Sequence, residues 1–139
     1  MPALYSTEAR AVGGRAGHVE TTDGLLSLAL ATPKELGGQG GATNPEQLFA
    51  AGYAACFESA LRLVARRIKA PLEDASVTAT VGLHQNGHGG FVLGAAIHAE
   101  TRGVDQATAE TLVSTAHSVC PYSNALKGNV DVAVSVKAA

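Results

Sequence analysis

Hydrophobic and polar positions divide the chain into stretches of period two and stretches of helical period. Residues 3–31 hold short β-like runs separated by the turn signals Gly13-Gly14 and Thr22-Asp23-Gly24, and Leu26, Leu28 and Leu30 alternate behind the second. Two or three antiparallel strands are predicted there. Residues 32–43 contain Pro33, Gly37, Gly38, Gly40 and Gly41, too much glycine for a helix, and are read as a loop. Asn44 then has the character of a helix N-cap, Pro45 suits the first helical position and Gln47 completes a capping-box spacing, so a helix is predicted to about Lys69, before Pro71.

Val77, Ala79, Val81 and Leu83 alternate, as do Phe91, Leu93, Ala95 and Ile97 beyond the turn Asn86-Gly87-His88-Gly89-Gly90, which predicts a hairpin. Asp105 caps a second helix whose apolar face is Ala109, Leu112, Val113 and Ala116, and Pro121 interrupts it directly after Cys120. Val130, Val132, Val134 and Val136 give a last strand. The order βββ-α-ββ-α-β has no regular βαβ alternation, so the fold class is α+β with an antiparallel-rich sheet.

Composition narrows the function classes. The 139 residues suit a single domain spanning 1–139, and 46% hydrophobic against 16% charged residues excludes a disordered chain. Aromatic residues are only 4%, so the core is expected to be built largely of Ala, Val and Leu. A formal charge of -2 provides no basic surface for nucleic acid or for an anionic membrane. The N-terminus lacks the basic start and apolar core of a signal peptide, and Glu58 and Arg62 interrupt the apolar stretch 48–63, so no membrane span is expected. A cytoplasmic location follows by default, where thiols stay reduced.

Five histidines, His18, His84, His88, His98 and His117, are scattered without ligand spacing, so no metal site is expected. The candidate chemistry lies in Cys56 and Cys120, the two cysteines of the chain. They can form a structural disulfide, be inert core residues, or be a nucleophile and its resolving partner; a reducing compartment disfavours the first. On the first helix, Glu58, Arg62, Arg66 and Lys69 form one polar stripe and Cys56 points away from it, toward the interior or a partner chain. Burial raises a thiol's pKa, so a reactive Cys56 needs a fixed cation. The helix dipole has faded three turns from the N-terminus, and Arg62 and Arg66 lie on the wrong face. Arg15, flanked by glycines in Gly13-Gly14-Arg15-Ala16-Gly17-His18, is a candidate cation, and Glu46 is available to orient it.

The stretch Asn44-Pro45-Glu46-Gln47-Leu48-Phe49-Ala50-Ala51-Gly52-Tyr53-Ala54-Ala55-Cys56-Phe57 resembles the first cysteine motif of the Ohr/OsmC family. Ala116-His117-Ser118-Val119-Cys120-Pro121-Tyr122-Ser123-Asn124-Ala125, followed by Gly128-Asn129, resembles the second. Gly14-Arg15-Ala16-Gly17-His18 and residues 30–38 match as well, so the resemblance covers nearly the whole chain and is to the organic hydroperoxide resistance branch. It implies an OsmC-like fold in an intertwined homodimer and a thiol peroxidase for alkyl and fatty-acid hydroperoxides. By the same resemblance Cys56 is the peroxidatic residue, Cys120 the resolving one, Arg15 the group that holds the thiolate and Glu46 the group that holds Arg15. No bound cofactor is implied; the reductant is dihydrolipoamide or a lipoylated protein. Tyr122, Phe49, Tyr53 and Phe57 are candidates to line an apolar substrate pocket. The alternatives are a thiol redox sensor and an apolar-ligand binder using the same cysteine pair.

Glu46 and Cys56 are ten residues apart, about 15 Å along a continuous helix. One arginine cannot contact both on one straight helix. Either the helix breaks near Gly52, or the residues at one site come from two subunits; the second is expected, because the resemblance implies an intertwined homodimer.

Overall fold

Asn44 starts the longest helix, α1 (Pro45–Arg67), in the computed structural model, which describes residues Met1–Ala139. Its side-chain carbonyl accepts the Gln47 backbone N–H at 2.9 Å, satisfying one of the donors that a helix start leaves unpaired. Gln47 does not return the bond, because its own side-chain carbonyl accepts from Thr43 at 2.7 Å. At the other end Lys69 adopts φ 57, and the Ala70 N–H reaches the Ala65 carbonyl at 2.9 Å, which closes the helix two residues before the predicted end. The helix passes Gly52 without a break.

The chain divides into two compact units, Met1–Leu48 and Phe49–Ala139. The first holds three strands where two or three are predicted, β1 (Ala9–Val12), β2 (His18–Thr21) and β3 (Ser27–Ala29), antiparallel in the order β1-β2-β3. A 3-10 turn, Gly14–Ala16, joins β1 to β2 and carries Arg15. Gly17 ends that turn so close to β1 that a Cβ there would lie 1.8 Å from the Val12 carbonyl oxygen. Only glycine fits, which fixes the turn that presents Arg15.

The second unit contains the hairpin of β4 (Asp74–Gln85) and β5 (Phe91–Arg102), in register from Asp74↔Arg102 to Gln85↔Phe91. Asn86 shapes its turn by accepting the backbone N–H groups of His88 and Gly90. Next comes α2 (Gln106–Val119), capped by Asp105, whose carboxylate accepts the Thr108 N–H at 2.8 Å. A short helix, α3 (Pro121–Leu126), follows at once, and β6 (Val132–Ala138) completes the unit. Pro121 therefore ends one helix and opens another, a position where its missing N–H costs nothing. The sheet order is β4-β5-β6, and β6 runs parallel to β5. The last strand starts two residues later than its alternation suggests, and its direction follows from the helical crossover between β5 and β6.

One face of α1 forms the core of this unit. Tyr53, Phe57, Leu61 and Val64 recur at helical spacing, are all at most 2% exposed, and pack with Ile97, Leu112 and Ala116. Each large side chain so buried contributes roughly 1.5–3 kcal/mol. By length and hydropathy alone α1 could cross a bilayer. Its buried face instead belongs to this core.

Candidate active site

In the first unit the tight turn around Arg15 and the first turn of α1 bring two predicted residues together. The guanidinium of Arg15 donates to both carboxylate oxygens of Glu46, at 2.9 and 2.6 Å. Such a two-pronged contact fixes the plane of the guanidinium as well as its position. The hydrogen bonds from Arg15 hold the Glu46 carboxyl below its ordinary pKa, against a smaller opposing effect of burial. Glu46 also lies in the first turn of α1, where the helix dipole favours a negative charge.

The depressed Glu46 pKa has a consequence for stability. A carboxyl held low in the folded state contributes stability that is complete above its unfolded pKa, roughly 4.3, and lost as pH falls through the folded value. The stability difference between the native protein and Glu46→Gln is therefore expected to be constant above about pH 5 and to vanish in acid. It should be no more than about 1 kcal/mol, because the Arg15 side chain is 39% exposed and water screens the pair. Parallel urea titrations across pH check this.

The second unit brings the cysteines together. Cys56 lies on the inward side of α1 and Cys120 is the residue between α2 and α3. Both are free thiols, the sulfurs are 3.5 Å apart, Cys56 is half-buried and Cys120 is fully buried. A disulfide needs the sulfurs at about 2.05 Å, so a movement of roughly 1.5 Å would close it. Burial pushes the Cys56 thiol up, and the nearby backbone N–H of Tyr122 opposes this. The neighbouring Cys120 thiol raises it further, so the groups acting on Cys56 within its unit supply no positive charge.

Aromatic side chains stand beside the pair. Phe49, Tyr53 and Phe57 follow one another at four-residue spacing on α1, and Tyr122 stacks on Tyr53 with ring centres 5.8 Å apart. Phe49 meets Tyr122 edge-on, also at 5.8 Å. Tyr122 remains 37% exposed, so it is the member of the group positioned to meet a ligand arriving from solvent.

Three residues of this neighbourhood escaped the sequence reading. Gly52 faces Tyr122, and a Cβ added there would lie 2.6 Å from the Tyr122 hydroxyl oxygen. The Gly52→Ala substitution, which by propensity alone should stabilise α1 by roughly 0.5–1 kcal/mol, is instead expected to displace the Tyr122 ring and to cost about 1–3 kcal/mol. Thermal melting would read the sign. His117 and Ser123 are the other two: Ser123 Oγ lies 2.7 Å from the Tyr53 hydroxyl and 2.8 Å from His117 Nδ1. Their spacing of three residues on either side of Cys120 was the available signal.

A family model described as OsmC-like protein matches residues 38–135. The organic hydroperoxide resistance protein of Xanthomonas axonopodis pv. citri is 48% identical over 135 residues, covering 96% of this chain and 94% of its own length. Organic hydroperoxide resistance protein OhrA of Bacillus subtilis is 47% identical over 139 residues, with 96% of each chain covered. Among solved structures, an organic hydroperoxide resistance protein from Legionella pneumophila superposes with a TM-score of 0.96 at 65% identity, covering 98% of this chain and 99% of that one. The α+β arrangement with a long cysteine-bearing helix is thus the OsmC fold, and the chain belongs to the OsmC family, in its organic hydroperoxide resistance branch.

Proposed function

We propose that this protein reduces organic hydroperoxides to alcohols through its two cysteines. The observation that carries this reading is the pair of free thiols 3.5 Å apart, one half-buried beside aromatic rings and the other fully buried. The names of its relatives, organic hydroperoxide resistance proteins, supply the substrate class.

In the proposed cycle the Cys56 thiolate attacks the distal oxygen of the hydroperoxide. The O–O bond breaks, the alkoxide takes a proton and leaves as the alcohol, and Cys56 becomes a sulfenic acid. Cys120 then displaces hydroxide from that sulfur, water leaves, and a Cys56–Cys120 disulfide forms. A dithiol returns the pair to the reduced state by exchange, and the reading assigns this to dihydrolipoamide or a lipoylated protein. Tyr122, with the partly buried Phe49 beside it, receives the organic part of the substrate, and the rings of Tyr53 and Phe57 back this surface from the core. A cytoplasmic setting, where thiols are kept reduced, suits such a cycle.

The missing positive charge at Cys56 is assigned to Arg15 of a second copy, held by that copy's Glu46. Two observations support this: α1 is unbroken, so its rise separates Glu46 from Cys56 of the same helix by about 15 Å; and the surroundings of Cys56 within its unit raise its pKa. The working form is then a homodimer with two shared sites. Sustained consumption of tert-butyl hydroperoxide with dihydrolipoamide as reductant tests the reading. A single stoichiometric oxidation, or none, would point to a redox sensor or a binding protein.

A further inference from the structure

A chain of polar groups, two buried and one half-buried, runs beside Cys120, and the cycle above gives it no role. Ser123 is 3% exposed and Tyr53 is fully buried, yet each carries a hydroxyl that must be paired. Their oxygens lie 2.7 Å apart, and Ser123 Oγ is 2.8 Å from His117 Nδ1. The three residues come from three helices. Tyr53 stands one turn before Cys56 on α1, His117 three residues before Cys120 on α2, and Ser123 three residues after it on α3.

Proton accounting gives the chain a direction. The Tyr53 hydroxyl has Ser123 as its hydrogen-bond partner, and Ser123 has one proton for two neighbours. Every buried proton is paired only when Tyr53 donates to Ser123 and Ser123 donates to His117 Nδ1. That requires Nδ1 to be the acceptor nitrogen of the ring. With the ring proton on Nδ1, Ser123 Oγ can accept from both neighbours, but then its own proton, or that of Tyr53 if Ser123 donates there, has no acceptor in a buried site.

Resting on the thiol-peroxidase reading, we propose that His117 and Ser123 are positioning residues for the resolving step, clamping the α2–α3 junction so that Cys120 meets the sulfenic acid of Cys56. At the junction Cys120 is extended at φ -61, ψ 122, and Pro121 has no N–H to bond. The bonds across it are those of Cys120 N–H to the Ala116 carbonyl at 2.8 Å, of Asn124 N–H to the Cys120 carbonyl at 3.0 Å and of the Asn124 side-chain amide to the Ser118 carbonyl at 3.2 Å. The polar chain adds a tie on each side of the cysteine and anchors both to α1, the helix that carries Cys56. In the step it serves, the S–S bond forms as the S–O bond of the sulfenic acid breaks, and the leaving hydroxide takes the Cys120 thiol proton as water. His117 and Ser123 contribute no atom to it. Reaction demands partners within about 3–3.5 Å, and a 1 Å misplacement costs about a hundredfold. The 3.5 Å sulfur separation lies at that limit.

The test separates the two half-reactions. His117 lines cavities of about 280 and 550 Å³, which leave room for a side chain of similar size and different shape. In His117→Leu and Ser123→Ala, peroxide consumption in the first turnover should change by less than about threefold while disulfide closure slows about ten- to hundredfold. Cys56 sulfenic acid should then be trapped by a 1,3-dione and counted by mass spectrometry. His117→Asn, whose amide oxygen is an acceptor for Ser123, should recover most of the closure rate, which a merely structural role would not predict. A parallel assay needs no peroxide: Cys56 is primed as a mixed disulfide with thionitrobenzoate, and release of that coloured thiolate reports attack by Cys120. If the native protein closes this disulfide but ignores hydroperoxide, the enzyme reading fails and the clamp is still measured. Closure at the native rate in both His117→Leu and Ser123→Ala, or equal loss of both half-reactions with no rescue by His117→Asn, would overturn the proposal.

Discussion

Replacing Cys56 with serine is expected to abolish hydroperoxide turnover, a loss of at least about a thousandfold, because a neutral hydroxyl replaces the one thiol that substrate can reach, Cys120 being fully buried. Cys120→Ser should behave differently. Its Cys56 still meets substrate, so one equivalent of peroxide is consumed and the reaction stops at the sulfenic acid, with sulfinic acid accumulating under excess peroxide. The contrast follows from the geometry: Cys56 is half-buried beside a part-exposed Tyr122, whereas Cys120 is fully buried and can meet substrate-derived atoms only through Cys56. Stopped-flow peroxide consumption, with mass spectrometry of Cys56, distinguishes burst from turnover. Equal turnover by Cys56→Ser and the native protein would refute the mechanism.

How much of this was legible before the structure depends on the kind of signal. The buried face of α1 was readable because Tyr53, Phe57, Leu61 and Val64 repeat at helical period. The start of α1 was readable because Asn44-Pro45 has one local meaning. The parallel pairing of β6 was not, since alternation reports which faces a strand buries and says nothing about its neighbour. The six residues of α3 are too few to display a period. The meeting of Cys56 with Cys120, 64 residues apart, left no trace in spacing or composition, and only the resemblance of both motifs suggested it. His117 and Ser123 were passed over for a related reason: an imidazole and a hydroxyl are ordinary in sequence, and they become a buried network only where α2 turns into α3. Gly52 lacks the positive φ that marks a required glycine, so its reason, the ring of Tyr122 lying against it, is purely tertiary.

The second large effect concerns which copy supplies the arginine. Arg15→Ala removes the cation proposed to hold the Cys56 thiolate, and Cys56→Ser removes the thiolate itself, so each homodimer should be nearly inactive. A hybrid dimer of the two variants is informative because the two arrangements predict opposite results. If Arg15 served Cys56 of its own chain, the subunit with Cys56 would lack its arginine and the subunit with Arg15 would lack its thiol, and no active site would remain. If Arg15 serves the partner, the intact Cys56 of one subunit faces the intact Arg15 of the other, and one of the two sites is restored. Co-expression with two affinity tags, purification of the hybrid and assay with tert-butyl hydroperoxide should therefore return about half of the native activity per dimer, from two parents each reduced on the order of a hundredfold or more. The restored activity should also need Glu46 on the chain that supplies Arg15 and not on the other, because its two-pronged contact fixes the guanidinium. Placing Glu46→Gln on one chain and then on the other makes that assignment. A hybrid no more active than its parents would overturn the assignment of Arg15 to the partner's Cys56, and the same loss from either placement of Glu46→Gln would overturn the pairing of Glu46 with the Arg15 that serves the site.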